Sequence, residues 1–584
     1  MPEKNEFIPE AKKLLERATD TPDKPRFFYQ SPSGGWEMVT WRGFLDRSLA
    51  LAHYLTAEGI VPGKKVAIFS KNRVEWPFCT MAIHAARGVF VPIYQSNTAI
   101  ETKYIINHSD AEVLFTESDL LPLVLSIWKD IPAVRKVVVM GMGIDGTNSI
   151  DEILRRFNSA GAGPLSTSDV KNRVISIEDA CEFGTSTGDS ALSSFEAMAE
   201  KIVPEDVSTI LYTSGTTGVP KGVVLTLYNL YTNAEDWINV LSPLIPDERV
   251  DLLWLPISHI FGWGEMGLGN TLGFTTYMTT PIDVLRHMPE VRPTIFISVP
   301  AYWEKLYCGA KEFSGNRAAQ LERLHVLTGG RLKFCLSGGA GLKREVKEFF
   351  YEAGLLLIEG YGLTECSPTL TMNRGEDFDF DTVGKPFPKV DIKLAPDGEI
   401  LARGPNIFKE YYKDAEATRE TFTGDGWFKT GDIGTLTDSG FLKIVGRKKE
   451  IIVTSGGKNI SPQPIEYLFR EDPYIEHIVL YGDERKYLVA LVTLKEEALK
   501  TWAEGDGLKG LPLTDLVRHP NVTDLVGKTI ARVNATLASF ETIKKFHVYA
   551  GHLTVDGGFL TPSLKLRRKA VYEKFGSVLD GLYE

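Results

Sequence analysis

The stretch ILYTSGTTGVPKGVV, Ile210 to Val224, decides how the rest of this chain is read. Its β-branched opening predicts a strand that runs into Thr213, Ser214, Gly215, Thr216, Thr217 and Gly218. Hydroxyls and unobstructed backbone N–H groups then converge in one loop, and Lys221 adds a cation after the rigid Pro220. A loop of this kind holds phosphates. It lacks the Gly-Lys-Ser/Thr ending of a Walker loop, which excludes an ordinary P-loop ATPase.

Outward from that loop, short β-branched runs alternate with amphipathic stretches: KKVAIFS from Lys64, GVFVPIY from Gly88, RKVVVM from Arg135, PTIFISVP from Pro293 and LKFCLSGG from Leu332. Such alternation predicts parallel sheets covered by helices. One helix starts near Phe44, where Leu45, Leu49, Ala52 and Leu55 form an apolar stripe before Gly59 supplies a stop. From about Val390 the rhythm changes to hairpins. KVDIKLA and EILARGP flank Pro396-Asp397-Gly398, and the strands of WFKTGDIGTLT and FLKIVG flank Asp438-Ser439-Gly440. After Gly446 comes a glycine-rich break, RKKEIIVTSGGKN, then another hairpin in HIVLYGDERKYLVALVTL, so a separate C-terminal domain is expected from about Lys449. The Ser-, Gly- and Asp-rich stretch from Gly141 to Val203 reads as an exposed excursion of the large domain.

A chain of 584 residues implies about three to five folding units. Its 43% apolar and 24% charged content is that of an ordinary globular chain and excludes disorder, collagen and coiled coil. The net charge of −11 points away from nucleic acid. Five scattered cysteines without a C-x-x-C pair suggest neither a disulfide framework nor a thiolate zinc site, and fit a reducing cytosol. No apolar run is long enough to cross a bilayer, which leaves peripheral membrane contact open. Two familiar patterns are decoys. Gly141-x-Gly143-x-x-Gly146 lacks the acidic strand end of a dinucleotide fingerprint, and Gly184-Thr185-Ser186-Thr187-Gly188 lacks the apolar strand that a nucleophile elbow requires.

The phosphate-loop stretch resembles the signature of the adenylate-forming, or AMP-binding, superfamily, and further ordered segments agree. Ser337-Gly338-Gly339-Ala340 and Gly360-Tyr361-Gly362-Leu363-Thr364-Glu365 are similar to its nucleotide-binding segments. Thr430-Gly431-Asp432 is similar to its ribose motif, Gly446-Arg447-Lys448-Lys449 to its hinge, and Pro562-Ser563-Leu564-Lys565 to its catalytic-lysine motif. VRPTIFISVPAYWEKL, GRKKEIIVTSGGKNISPQPIE and LTPSLKLRRK look most like long-chain fatty acyl-CoA synthetases. Where the family commonly has His after the phosphate loop, this chain has Leu227.

The resemblance implies an α/β fold: a large N-terminal domain, residues 1–448, of two doubly wound α/β subdomains plus a distorted β-barrel, and a small mobile α+β C-terminal domain, residues 449–584. It implies ATP, Mg²⁺ and CoA, with a medium- to long-chain fatty acid activated as acyl-adenylate and then passed to CoA. Gathering anions around phosphorus requires fixed cations. Glu365 is the implied metal-binding carboxylate and Lys565 the implied bridge between carboxylate and α-phosphate, with Thr213 and Lys221 also catalytic. Gly338, Gly339, Ala340, Tyr361, Gly362 and Thr364 would line the nucleotide site. Asp432 would accept from the ribose hydroxyls, and Arg447 would support the same region. His259 would face the acyl carboxylate, Trp263 would gate the acyl tunnel, Lys449 would be the hinge, and Gly456 and Gly457 would admit the CoA arm. A fatty acyl-AMP ligase serving a carrier protein carries an insertion between the Tyr-Gly and Thr-Gly-Asp motifs, and the spacing here is compact. A silent acyl-nucleotide-binding protein would not need the intact Glu365, Asp432, Arg447 and Lys565.

Overall fold

Strands rich in Val, Ile and Phe, buried on both faces, assemble two large sheets. The computed structural model describes residues 7–141, 150–159, 165–186, 191–213, 219–470, 472–505, 507–555, 557–561 and 565–584. In the first sheet, of eight strands, Val207–Thr213, Val89–Ile93, Lys65–Phe69, Ala111–Glu117, Lys136–Met140 and Val174–Ser176 lie side by side and parallel. Lys221–Thr226 and then Glu410–Tyr411 extend it antiparallel. The second sheet, of nine strands, has a parallel centre in which Leu357–Gly362, Phe334–Ser337, Ile295–Ser298 and Val250–Leu253 are neighbours. Helices cover both sheets, as the alternation predicts. One large apolar cluster joins the two sheets through helices Trp41–Ala57, Glu75–Ala85 and Ile260–Leu272, and a second fills the far face of the eight-stranded sheet.

Helix Trp41–Ala57 shows how directly local sequence acts. Thr40 caps its start by accepting from the Gly43 N–H, Leu45, Leu49, Ala52 and Leu55 are buried, and Gly59 turns the chain away at φ +79°. The stretch after Gly141 departs from expectation. Its described residues form helices Ile150–Ser159, Thr167–Arg173, Ile177–Ser186 and Ala191–Ala199 and contribute the edge strand Val174–Ser176. Ile177, Ala180 and Phe195 are buried in the main core, so this is a packed layer and not an exposed excursion. Sparse apolar residues at helical spacing outweigh the polar composition around them. Gly184, part of the false nucleophile elbow, has a packing reason: a Cβ there would come within 1.9 Å of the Ala50 carbonyl oxygen.

The expected hairpins build a four-stranded antiparallel sheet from Asp391–Leu394, Glu399–Arg403, Phe428–Leu436 and Leu442–Arg447, with Gly398 and Gly440 both at φ +83°. Beyond it, Ile475–Tyr481, Leu488–Leu494 and Ile543–Val548 form a three-stranded sheet with its own apolar cluster on each face. Among the described residues no helix is long and apolar enough to cross a membrane.

Strand Leu357–Gly362 leads into the site and is anchored by a buried ion pair. The Lys347 ammonium lies 2.6 Å from Glu359, each side chain 4% exposed, and Glu359 also accepts from the Leu342 N–H. Burial raises the pKa of Glu359 and Lys347 opposes it. Lys347→Met should cost roughly 3–5 kcal/mol near neutral pH, since it strands a buried carboxylate. Without its cation Glu359 has a still higher folded pKa, so the loss grows as pH rises above the ordinary Glu range and fades below it. Urea-unfolding midpoints near pH 4 and near pH 7.5 check this; an equal loss at both would contradict it.

Candidate active site

The phosphate-loop flanks form a hairpin in which Thr213 pairs with Lys221. Ser214, Gly215, Thr216, Thr217 and Gly218 lie outside the described residues. The hairpin delivers the Lys221 ammonium to 5.0 Å from the Tyr411 ring, and the Tyr411 hydroxyl donates to Glu365 Oε1 at 2.9 Å. Glu365 stands in the short turn Thr364–Cys366, just past strand Leu357–Gly362, where the Phe408 N–H fixes its carbonyl. Gly362 is required by close approach: a Cβ there would lie 1.8 Å from the Pro368 carbonyl oxygen.

Tyr361, on the same strand, donates its hydroxyl to Asp432 Oδ2 at 2.6 Å. Asp432 and Arg447 are cross-strand partners in the four-stranded sheet, and Arg447 Nε lies 2.9 Å from Asp432 Oδ1. Asp432 is 3% exposed. Burial pushes its pKa up, while Arg447, Tyr361 and Lys565 pull it down. Burial, ahead of Asp432, also pushes the Tyr361 hydroxyl well up, so it remains a donor.

Lys565 approaches from the C-terminal sheet unit, in a turn closed by Thr561 N–H donating to the Lys565 carbonyl and Lys565 N–H donating to Thr561 Oγ1. Lys565 is exposed as a residue, but protein crowds its ammonium. That crowding, followed by Arg447, lowers its pKa, against Asp432 and Glu365. His259 caps helix Ile260–Leu272, its Nδ1 accepting from the Phe261 N–H at 3.2 Å. With Nδ1 as acceptor, the neutral ring carries its proton on Nε2. Burial, then Lys565, lowers the His259 pKa to about 4, so the imidazole is neutral at pH 7.

Gly338, Gly339 and Ala340 follow strand Phe334–Ser337 at the carboxyl ends of the parallel strands, the usual place for ligands in such sheets. A Cβ on Gly338 would meet the Phe261 ring at 2.9 Å, and Gly339 has φ +82°. Ser337 Oγ is buried there without a hydrogen-bond partner among the described residues. Trp263, 7% exposed, packs behind His259 against Phe90 and His84, with ring centroids 5.4 and 6.0 Å away. Glu265, on the same helix, and Asp251 and Arg26 are each no more than 1% exposed. Arg26 donates to Asn270 and Thr276, and Thr276 donates to Asp251. Burial and then Asp251 push the Glu265 carboxyl well up, which keeps it protonated.

The fold therefore gathers Lys221, Glu365, Tyr361, Asp432, Arg447, His259 and Lys565 around one cleft. Lys449 lies in the short turn Lys448–Glu450 that enters the C-terminal unit. Gly456 and Gly457 lie in an exposed turn whose hydrogen bonds stay within that unit, Gly457 N–H to the Thr454 carbonyl and Ser455 N–H to the Arg485 carbonyl. Tyr411, which orients Glu365, goes unmarked in the sequence because a single tyrosine outside any motif carries no signal. Among the described residues no three His, Cys, Asp or Glu side chains gather into a metal cage.

Residues 14–412 match the family described as AMP-binding enzyme, and residues 449–584 match AMP-binding enzyme C-terminal domain. The chain is 32% identical to the long-chain-fatty-acid–CoA ligase FadD15 of Mycobacterium bovis, with 98% of this chain and 96% of that protein covered. It is 32% identical to the peroxisomal long chain acyl-CoA synthetase 6 of Arabidopsis thaliana, covering 94% of this chain and 82% of that one. In fold it is similar to the adenylation domain of a carboxylate reductase from Mycobacterium chelonae, with TM-score 0.78 at 21% identity over 98% of this chain and 90% of the other.

Since Lys565 depresses the His259 pKa, Lys565→Ala should raise it. A histidine-ring NMR titration reads this without turnover: His259 should titrate near pH 4 in the intact protein and higher in the variant. An unchanged or lower value would place Lys565 away from His259.

Proposed function

The chain belongs to the AMP-binding enzyme family, and from that premise we propose that it is an ATP-dependent fatty acyl-CoA ligase acting on a medium- to long-chain acid. The acid and ATP give acyl-adenylate and pyrophosphate, and the CoA thiol then displaces AMP. The observation that carries this proposal is the placing of Lys565 in one electrostatic field with Glu365 and Asp432, groups brought together from distant parts of the chain. The relatives that share nearly its full length and are described as long-chain-fatty-acid–CoA ligases support the choice of substrate.

In this proposal the phosphate loop and Lys221 hold the triphosphate, and Asp432 accepts from the ribose with Arg447 keeping it ionised. Tyr361 lines the adenine side with Gly338, Gly339, Ala340, Gly362 and Thr364. One Glu365 oxygen accepts from Tyr411, which leaves the other to face a cation. A single carboxylate suits Mg²⁺, which takes most of its ligands from substrate phosphates and water. When bound, Mg²⁺ would neutralise charge on the phosphates. Lys565 meets the carboxylate and α-phosphate oxygens, whose negative charge would offset the desolvation that lowers its pKa. Neutral His259 offers Nε2–H to the acyl carboxylate without competing for the anion as a second cation would. Trp263 closes the apolar wall of the acyl site. The five cysteines are free thiols, which suits a reducing cytoplasm.

The two half-reactions need Lys565 first at the phosphate and then clear of the thiol. Residues 449–584 would turn about Lys449 between them, and Gly456 and Gly457 would swing toward the pantetheine arm. ATP–pyrophosphate exchange over acids from acetate to oleate, repeated with CoA to detect thioester, tests the activity. Exchange stimulated by none of these acids would reject it.

Glu365→Ala and Lys565→Ala should each depress adenylation by about two orders of magnitude or more, the usual loss on removing one electrostatic stabiliser; a rate within about threefold of the parent would remove that residue from the chemistry. Lys449→Pro should keep acyl-adenylate formation while thioester formation from pre-formed adenylate falls steeply, because proline fixes φ at the turning residue. Equal losses in both steps, or none in the second, would reject the hinge.

A further inference from the structure

The C-terminal unit meets the N-terminal one through polar contacts that flank Lys565. Tyr467, the last residue of helix Pro462–Tyr467, donates its hydroxyl to Oε1 of Glu304 on helix Pro300–Lys311. Glu304 is 9% exposed, so its carboxylate meets the hydroxyl in a largely dry setting. Burial, ahead of Glu304, pushes the Tyr467 pKa well up, and the phenol is a donor throughout the neutral range. The Lys343 ammonium stands 5.5 Å from the Tyr467 ring. On the other side Arg567 reaches Glu101, on helix Ala99–Ser109, at 3.5 Å.

The Tyr467 contact is mechanically joined to Lys565. Glu466, the preceding residue, takes both arms of the Arg568 guanidinium at 2.7 Å and accepts from the Leu480 N–H. Arg568 is 8% exposed and opens helix Arg568–Asp580, just after the Lys565 turn. The same guanidinium lies 3.7 Å from Glu450, in the turn that contains Lys449. Helix Pro300–Lys311 begins at the site itself, since the Gly338 N–H donates to the carbonyl of Ser298, the last residue of the preceding strand. Glu304, Tyr467, Glu466 and Arg568 thus form one line of charge-assisted contacts from the nucleotide-binding segment to the Lys565 turn.

We propose that the Tyr467–Glu304 hydrogen bond is a latch that sets the C-terminal unit in the orientation where Lys565 reaches the reacting phosphate. It is a positioning contact for the first half-reaction, not the second, and it rests on the adenylate-forming activity proposed above. Turning the unit about Lys449 must break this bond, and both groups can then be satisfied by water, so the latch is reversible. A hydrogen bond to a charged group is strong enough to bias a two-state orientation by roughly tenfold or more.

The test compares the full-length protein with Tyr467→Phe, Glu304→Ala and the double variant. Acyl-adenylate formation is measured in a single turnover, and thioester formation is measured from pre-formed adenylate and CoA. Each single variant should slow the first step by roughly tenfold, leave the second unchanged or faster, and the double variant should be no worse than the singles. Equal losses in both steps, an unchanged first step, or additive losses would overturn the latch. Amide hydrogen exchange over helix Pro300–Lys311, without substrates, reads the contact independently of turnover. It should rise in Tyr467→Phe, and unchanged exchange would overturn the latch. A parent protein that formed no adenylate would defeat the underlying activity, and the exchange measurement would still decide the contact.

Discussion

The Asp432 carboxylate, 3% exposed, needs cations and donors around it, and meeting that need ties together distant parts of the chain. Tyr361 comes from the nine-stranded sheet, Arg447 from the strand paired with that of Asp432, and Lys565 from the C-terminal unit. No one of these elements could hold the carboxylate alone. The cleft is therefore complete only in the orientation where all three meet, and its electrostatics report the arrangement of the whole molecule. After burial, the same lysine also lowers the His259 pKa, so one ammonium acts on both Asp432 and His259.

Rigid supports stand behind that variable charge. The helix that carries His259 and Trp263 also carries Glu265, on which burial keeps a proton, and it is tied to the buried Arg26, which donates to the Met266 carbonyl and to Asn270 on that helix and to Thr276, itself a donor to Asp251. Such a network is costly to leave half-satisfied, and it fixes the helix against the sheet more specifically than apolar packing alone would. Glycines do the equivalent for the backbone, with Gly362 pressed against Pro368 and Gly338 against Phe261.

Much of this was legible in the sequence. Runs such as KKVAIFS and LKFCLSGG became strands because β-branched and aromatic residues suit a doubly covered sheet, and Gly398 and Gly440 fixed the hairpin turns. The stretch after Gly141 was misread because its polar composition hid the apolar positions, among them Ile177, Ala180 and Phe195, that pack into the core. At the site, the ordered motifs named Glu365, Asp432, Arg447 and Lys565, which the fold does gather. Tyr411 and Glu304 were invisible, since their importance lies in partners that only the folded chain supplies.

The apolar clusters have one further consequence. Among the described residues, the two clusters of the large unit include nothing beyond Phe428, and the two of the C-terminal unit include nothing before Ile452. Rotating one against the other therefore exposes little greasy surface. Movement of this kind carries a small heat-capacity change, so its equilibrium should vary almost linearly with temperature, while dissolved salt, by screening ion pairs such as Arg567–Glu101, becomes the variable that tunes it.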